Sequence, residues 1–269
     1  MSKTTAITHF RMRQALLGLS MLAVALSGFA QADQEQPGAT PFRPTVTSGA
    51  TLSAPGWLEL EFGGQRLGGN GVDRRNSWPY LLKYSVNDRF ALLLGGDAYV
   101  LATPAQAPRI SGPGDTTLTL KYRAPDAPEG ISFGLEATVK LPTAADGLGS
   151  GERDFSLKGI YGLDLPNGLH LDTNLVATRL GTVLMDQGNY QWTWAAALSR
   201  QFGDAWTLAG DFSGTAQSGA PSTAQFLSSA SYALSKRLVI DGGLAVGLNS
   251  HSPRFTVFSG LTVLMGKVN

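Results

Sequence analysis

Ile131-Ser132-Phe133-Gly134-Leu135-Glu136-Ala137-Thr138-Val139-Lys140-Leu141 alternates without a break. Ile131, Phe133, Leu135, Ala137, Val139 and Leu141 fall on one side, and Ser132, Gly134, Glu136, Thr138 and Lys140 on the other. Successive side chains of a strand point to opposite faces, so this segment has one apolar face and one polar face. A helix would scatter both sets around its axis. The segment is a strand.

The pattern extends outward in both directions. Upstream, Leu58, Leu60 and Phe62 oppose Glu59 and Glu61, and Trp78, Tyr80, Leu82 and Tyr84 oppose Lys83 and Ser85. Phe90, Leu92 and Leu94 share a face opposite Asp97, and Leu118, Leu120 and Tyr122 oppose Lys121 and Arg123. Downstream, Phe155, Leu157 and Tyr161 oppose Lys158, and Leu169, Leu171 and Leu175 oppose His170 and Asp172. Tyr190, Trp192 and Trp194 oppose Gln191 and Thr193, and Trp206, Leu208 and Phe212 oppose Asp211. Phe226 and Tyr232 then oppose Ser229 and Ser231, and Leu238, Ile240 and Leu244 oppose Asp241. The last segment, Arg254 to Leu264, is apolar on both sides. The reading is about twelve strands, each near the roughly 9–11 residues that cross a bilayer when tilted.

Connections and aromatics point the same way. Tight turns at Asn87-Asp88, Pro166-Asn167-Gly168, Gly203-Asp204 and Ser235-Lys236, with a somewhat longer one over 124–130, alternate with longer polar stretches. Those longer stretches are 64–75, 102–115, 142–154, 181–189 and 216–222. Outer-membrane barrels have short periplasmic turns and longer extracellular loops, and an even strand count returns both barrel ends to the periplasm. Phe62, Trp78, Tyr80, Phe155, Tyr190, Trp192 and Phe226 sit near the long-loop end, and Tyr84, Phe90, Tyr122, Trp206 and Tyr232 near the short-turn end. Two aromatic girdles around an apolar band suit two membrane interfaces. The alternative is a soluble β-sandwich or lipocalin-like barrel. Charged residues make up only 15% of the chain, against about 25% in soluble domains. The membrane barrel is the better reading: an all-β, transmembrane, antiparallel up-and-down β-barrel.

The N-terminus reads as a leader. Lys3, Arg11 and Arg13 precede the apolar run Ala15 to Ala30, and Ala30-Gln31-Ala32 offers a small-x-small cleavage site. The run is shorter than the roughly 20 residues of a spanning helix. Residues 1–32 are therefore expected to be a signal peptide, 33–55 a periplasmic N-terminal segment, and 56–269 the barrel. The segment from Asp33 to Pro55 contains Pro37, Pro41 and Pro44 without clear periodicity, and is either disordered or reaches into the lumen. Residues 1–32 hold three of the 21 basic and none of the 20 acidic side chains, so the remainder has a formal charge of −2. That balance argues against a nucleic-acid surface. The chain has no Cys, which excludes disulfides and a lipidated Cys.

Four segments resemble a known family, the outer-membrane "transporters" described as a putative meta-pathway of phenol degradation. They are Thr51-Leu52-Ser53-Ala54-Pro55-Gly56, the hairpin from Tyr80 to Phe90, Gly112-Pro113-Gly114-Asp115 leading into Leu118 to Arg123, and Glu136 to Thr143. They cover the first half of the barrel in the family's order. The resemblance implies an outer-membrane barrel passing small, aromatic or hydrophobic molecules. One departure is the end of the chain, Met265-Gly266-Lys267-Val268-Asn269, where such barrels carry an aromatic residue.

The polar face of a closed barrel lines its lumen. The candidates are Glu59, Glu61, Lys83, Asp97, Lys121, Arg123, Glu136, Lys140, Lys158, His170, Asp172, Asp211 and Asp241. Twelve strands lie between the roughly eight whose interior side chains fill and the 16–18 that leave an open channel. These charges either shape a selective pore or pair in salt bridges that stiffen the barrel, and pairing is the commoner role of buried charge. Glu136 should face the lumen and pair with Lys121 or Lys140. A lipid-hydrolase reading fails on sequence: His170 has no serine two residues away on its face, His251 sits beside Ser250 and Ser252 in a short external loop before Pro253, and no Gly-x-Ser-x-Gly elbow occurs after the leader. No catalytic, metal or cofactor site is expected, and the loop 146–154 lacks EF-hand spacing. The expected partners are outer-membrane lipid and a small-molecule solute. The residues do not specify an oligomeric state. The competing function is a non-transporting structural or surface-interaction barrel acting through its extracellular loops.

Overall fold

The computed structural model describes residues 37–69, 72–104, 108–125 and 127–268. The leader expected over 1–32 lies outside them.

The strands are β1 (Trp57–Gly69), β2 (Val72–Ser85), β3 (Phe90–Thr103), β4 (Ile110–Gly112), β5 (Thr116–Arg123), β6 (Ile131–Leu141), β7 (Asp154–Leu165), β8 (Leu169–Arg179), β9 (Tyr190–Phe202), β10 (Trp206–Gln217), β11 (Ala220–Ser235), β12 (Leu238–Gly247) and β13 (Phe255–Lys267). Apart from β4, each pairs antiparallel with its neighbours, and β13 returns to β1 with Trp57 opposite Lys267 and Gly68 opposite Phe255. The sheet is thus a closed ring of twelve strands. The short β4 pairs only with β3 and stands outside that ring. Closure gives every strand of the ring two partners, so the ring leaves no edge for hydrocarbon to strip of hydrogen bonds.

β13 needs no terminal aromatic to close the ring. Its Thr262 and Leu264 are fully buried, and the Val268 N–H donates to the Gly56 carbonyl at 2.7 Å. Its two apolar sides have different surroundings: Val257 and Met265 are exposed outside, while Thr262 and Leu264 face Glu61 and Glu59 across the β1 ladder.

The outer face is apolar around the barrel. Leu92, Leu120, Leu135, Leu157, Leu175 and Trp194 are all exposed, far more apolar surface than a water-facing monomer shows. Aromatic rings stack in directly opposed cross-strand pairs. Phe90–Tyr122, Phe133–Tyr161 and Trp206–Tyr232, with centroids 5.1, 5.4 and 4.8 Å apart, lie toward the short turns. Trp78–Tyr99 and Phe212–Phe226, at 5.9 and 4.7 Å, lie toward the long loops. This is the girdled apolar band of a transmembrane barrel.

Two of the long connections are shorter than their polarity suggests. The stretches read as loops at 64–75 and 216–222 are largely ladder, with Gln65 opposite Ser77, Arg66 opposite Asn76 and Gln217 opposite Ala220. Backbone pairing does not require an apolar face. Above the lipid, polar side chains bond across the ladder instead: Gln65 Nε2 donates to Ser77 Oγ at 2.9 Å, and the Thr215 and Thr223 hydroxyls meet at 2.7 Å.

Candidate functional site

Cross-strand partners share a face, so the ladders define which charges meet inside the ring. Glu59 lies opposite Lys83, Lys121 opposite Glu136, and Glu136 opposite Lys158. Lys83 pairs with Glu59, and with Glu61 at 2.6 Å. Lys121 meets Glu136 at 3.2 Å, and Lys158 meets it at 2.7 Å. The resulting arc of charge covers β1, β2, β5, β6 and β7. It is interrupted at β3, where Ala91 and Leu93 face inward and are buried.

The N-terminal segment fills that interruption. Residues 37–56 run inside the ring, and the Phe42 ring lies 4.0 Å from Lys83 Nζ and 3.8 Å from Lys121 Nζ. Two ammonium groups thus share one aromatic ring. The backbone around it is bonded to the same charges. Thr40 N–H donates to Glu59 at 2.8 Å and Phe42 N–H to Glu61 at 2.6 Å. Lys83 donates to the Thr40 carbonyl and Lys121 to the Gly49 carbonyl, each at 2.6 Å. An ammonium has three donors and no acceptor, and Lys83 directs them to Glu59, Glu61 and Thr40. Burial of these ions is tolerable because each is paired and hydrogen-bonded.

The opposite wall carries acids with no cation beside them. Asp211 on β10 is fully buried, and Asp241 on β12 nearly so. The segment supplies what the wall lacks. Thr47 donates its N–H and hydroxyl to Asp211 at 2.8 and 2.6 Å. Arg43 donates Nε and Nη2 to Asp241 at 3.2 and 3.1 Å. Its guanidinium lies over Gly63 and Gly260, which oppose each other across β1 and β13. A Cβ at Gly63 would stand 2.8 Å from Arg43 Nη2, and one at Gly260 2.7 Å from Arg43 Nε. Ser48 and Asn174 bond reciprocally, Ser48 N–H to Asn174 Oδ1 at 2.8 Å and Asn174 Nδ2 to the Ser48 carbonyl at 2.9 Å.

The remaining candidates sit nearer the rims. Lys140 pairs with Asp154 at 2.7 Å and Asp115 at 3.6 Å, not with Glu136. Four residues along a strand separate Lys140 from Glu136 by about 13 Å, whereas Lys121 lies directly across the ladder. Asp97 pairs with Arg75 at 2.9 Å, and Arg123 is exposed at the end of β5. His170 stands between Asp164, 2.6 Å from Nδ1, and Asp172, 3.3 Å from Nε2. The Ser199 hydroxyl contacts the His170 backbone carbonyl at 3.5 Å rather than its ring. Among the described residues no group of three or more His, Cys, Asp or Glu is arranged to hold a metal.

The residues missing from the sequence list are those of the segment itself, Thr40, Phe42, Arg43, Thr47 and Ser48. A signal was present. Arg43 is the lone charge and Phe42 the lone aromatic between Pro37 and Gly56, while Asp211 and Asp241 have no cation directly across either ladder.

The segment divides the lumen. On one side is a cavity of about 330 Å³ bounded by Glu61, Leu93, Thr138 and Lys158, and on the other one of about 290 Å³ bounded by His170, Asp172, Ser199 and Thr207. Phe42 and Arg43 line both.

The fold is shared with known outer-membrane proteins. The COG4313 outer membrane channel from Pseudomonas putida F1 superposes with a TM-score of 0.62 at 16% identity, covering 87% of this chain and 99% of that one. The NanC porin gives 0.51 at 6% identity over 78% of this chain and 99% of that one. The KdgM porin gives 0.50 at 10% identity over 76% of this chain and 98% of that one. No curated protein matches the sequence. Residues 30–265 match the family described as "Putative MetA-pathway of phenol degradation", and the chain belongs to that family.

Proposed function

We propose that the barrel sits in the outer membrane and passes small solutes passively, with the N-terminal segment setting the width of the path. The observation that carries this reading is the pair of lumen cavities that share Phe42 and Arg43 as their common wall. The segment is continuous with β1 at Trp57 and is otherwise held to the wall by side-chain and backbone hydrogen bonds, so the partition between the two cavities is non-covalent along most of its length. The family's association with phenol degradation supports a small aromatic or hydrophobic solute, and the fold shared with channels and porins is compatible with passage. Of the lumen-facing charges, Glu61, Glu136, Lys158, His170 and Asp172 then border the path.

A second reading has its own support. The same segment spans the lumen from Glu59 to Asp211, and Leu184 and Met185 are exposed in the loop after β8. Both suit a closed barrel working through its extracellular loops. Single-channel recording of the purified protein in a planar bilayer separates the two. Discrete openings support passage. A correctly folded barrel that stays silent supports the loop reading.

A further inference from the structure

The larger lumen cavity differs from the rest of the interior in having an apolar half. Phe42 and Val46 from the segment, with Leu81 and Leu93 from the wall, line one side. Ser48, Thr119 and Thr138 line the rest together with charged groups, Thr119 lying directly across the ladder from Leu93 and Glu61 from Leu81. Phe42, Leu81 and Leu93 pack with Leu52 and Ala91 in a small cluster. If that cluster served only to seat the segment, it would be close-packed like any protein interior. Instead a space of about 330 Å³ remains beside it, and Val46 is 42% exposed. A volume at the lower end of small-molecule sites, apolar on one side with a few convergent polar groups, suits a solute of single-ring size.

The charges choose between solutes. The carboxylates of the cavity, Glu61 and Glu136, have side chains only 2% and 6% exposed, and both are held by lysines. The cations are more accessible, Arg43 at 18% and Lys158 at 23%. Both cations are themselves paired, Arg43 with Asp241 and Lys158 with Glu136, but their greater exposure means that a group entering the cavity meets N–H donors before it meets a carboxylate. We infer that this cavity binds a small organic monoanion with an apolar body, its carboxylate at Lys158 and Arg43 and its ring against Phe42, Val46, Leu81 and Leu93. As a station along a solute path the site rests on the proposed passage. Binding itself does not.

The test titrates the full-length protein in detergent micelles with benzoate, and separately with benzyl alcohol as its neutral analogue, by isothermal titration calorimetry. Benzoate is expected to saturate one site, with benzyl alcohol about tenfold weaker, the scale of one hydrogen bond to a charged group. Lys158→Gln should weaken benzoate about tenfold and leave benzyl alcohol unchanged. Val46→Asp, at an exposed position, should weaken benzoate by a similar factor; if Lys158→Gln does not fold, this variant decides. Equal affinity for the two probes, no saturable benzoate binding, or benzoate binding indifferent to both variants overturns the proposal. Bilayer recordings on the same preparation keep the two readings apart. A silent barrel that binds benzoate removes passage and keeps the site, whereas a conducting barrel that does not bind it removes the site alone.

Discussion

The Arg43 guanidinium, lying over Gly63 and Gly260, meets the Asp241 carboxylate at 3.1 Å, so the wall of β12 is neutralised by a residue that belongs to no strand. The barrel's interior electrostatics are therefore completed by the chain that precedes it. Removing Arg43 should have consequences on both sides of that pair.

Arg43→Gln leaves Asp241 buried without its cation. A lost partner in a partly exposed pair costs about 1–3 kcal/mol, which should appear as a lower urea midpoint for the folded barrel. The loosened segment should also raise single-channel conductance. Unchanged conductance would mean that the segment does not limit the path.

Deleting residues 37–50 removes the partition but leaves the wall pairs Lys83–Glu61, Lys121–Glu136 and Lys158–Glu136 in place. The barrel should still run as a heat-modifiable band on gels. Its conductance should rise roughly twofold or more, as expected when a twelve-stranded lumen loses its filling. A deletion that carries the same current as the full chain counts against the segment's role.

Gly260→Val places a side chain where Arg43 Nε and the Phe62 carbonyl lie, each 2.7 Å from the position of a Cβ. Overpacking of this kind costs about 1–3 kcal/mol and should reproduce the conductance change of Arg43→Gln. Gly266→Ala, whose Cβ would enter open space, should leave both stability and conductance unaltered. Denaturant titrations of the two variants in parallel provide the comparison.

Leu157 points away from the lumen between Phe155 and Tyr161 on the same strand face. Leu157→Arg should destabilise the barrel by about 2–4 kcal/mol when folded into lipid vesicles, the range for Arg at a bilayer midplane. A negligible loss would place this face in water.

Phe90 and Tyr122 face each other across β3 and β5 with ring centroids 5.1 Å apart. A double-mutant cycle to alanine, read from folding free energies in vesicles, should give a coupling of about 0.5–1.5 kcal/mol. Additive single losses would mean that the rings act independently.

Most of the architecture was legible because a strand writes its two faces into alternate residues. Ile131 to Leu141 shows this plainly, and the eleven segments read by alternation, with the two-sided apolar stretch from Arg254 to Leu264, correspond to the twelve strands of the ring. The Lys121–Glu136 pair was legible too, since neighbouring strands joined by a short turn have little freedom of register. The ends of the strands were less so. Gln65, Arg66 and Gln217 look like loop residues because pairing continues in water, where neither face needs to be apolar.

What alternation, turn lengths and aromatic placement determined by themselves was a ring with a greasy outside and a charged inside. Those are local properties, set by the period of the backbone and by which neighbours a short turn can bring together. The course of residues 37–56 has no period, because their hydrogen bonds go to walls far along the chain: Thr47 to Asp211, Ser48 to Asn174 and Arg43 to Asp241. Only the closed tertiary structure brings those partners within reach. The shape of the lumen, and with it the cavity beside Phe42, was therefore decided by contacts that no local pattern can encode.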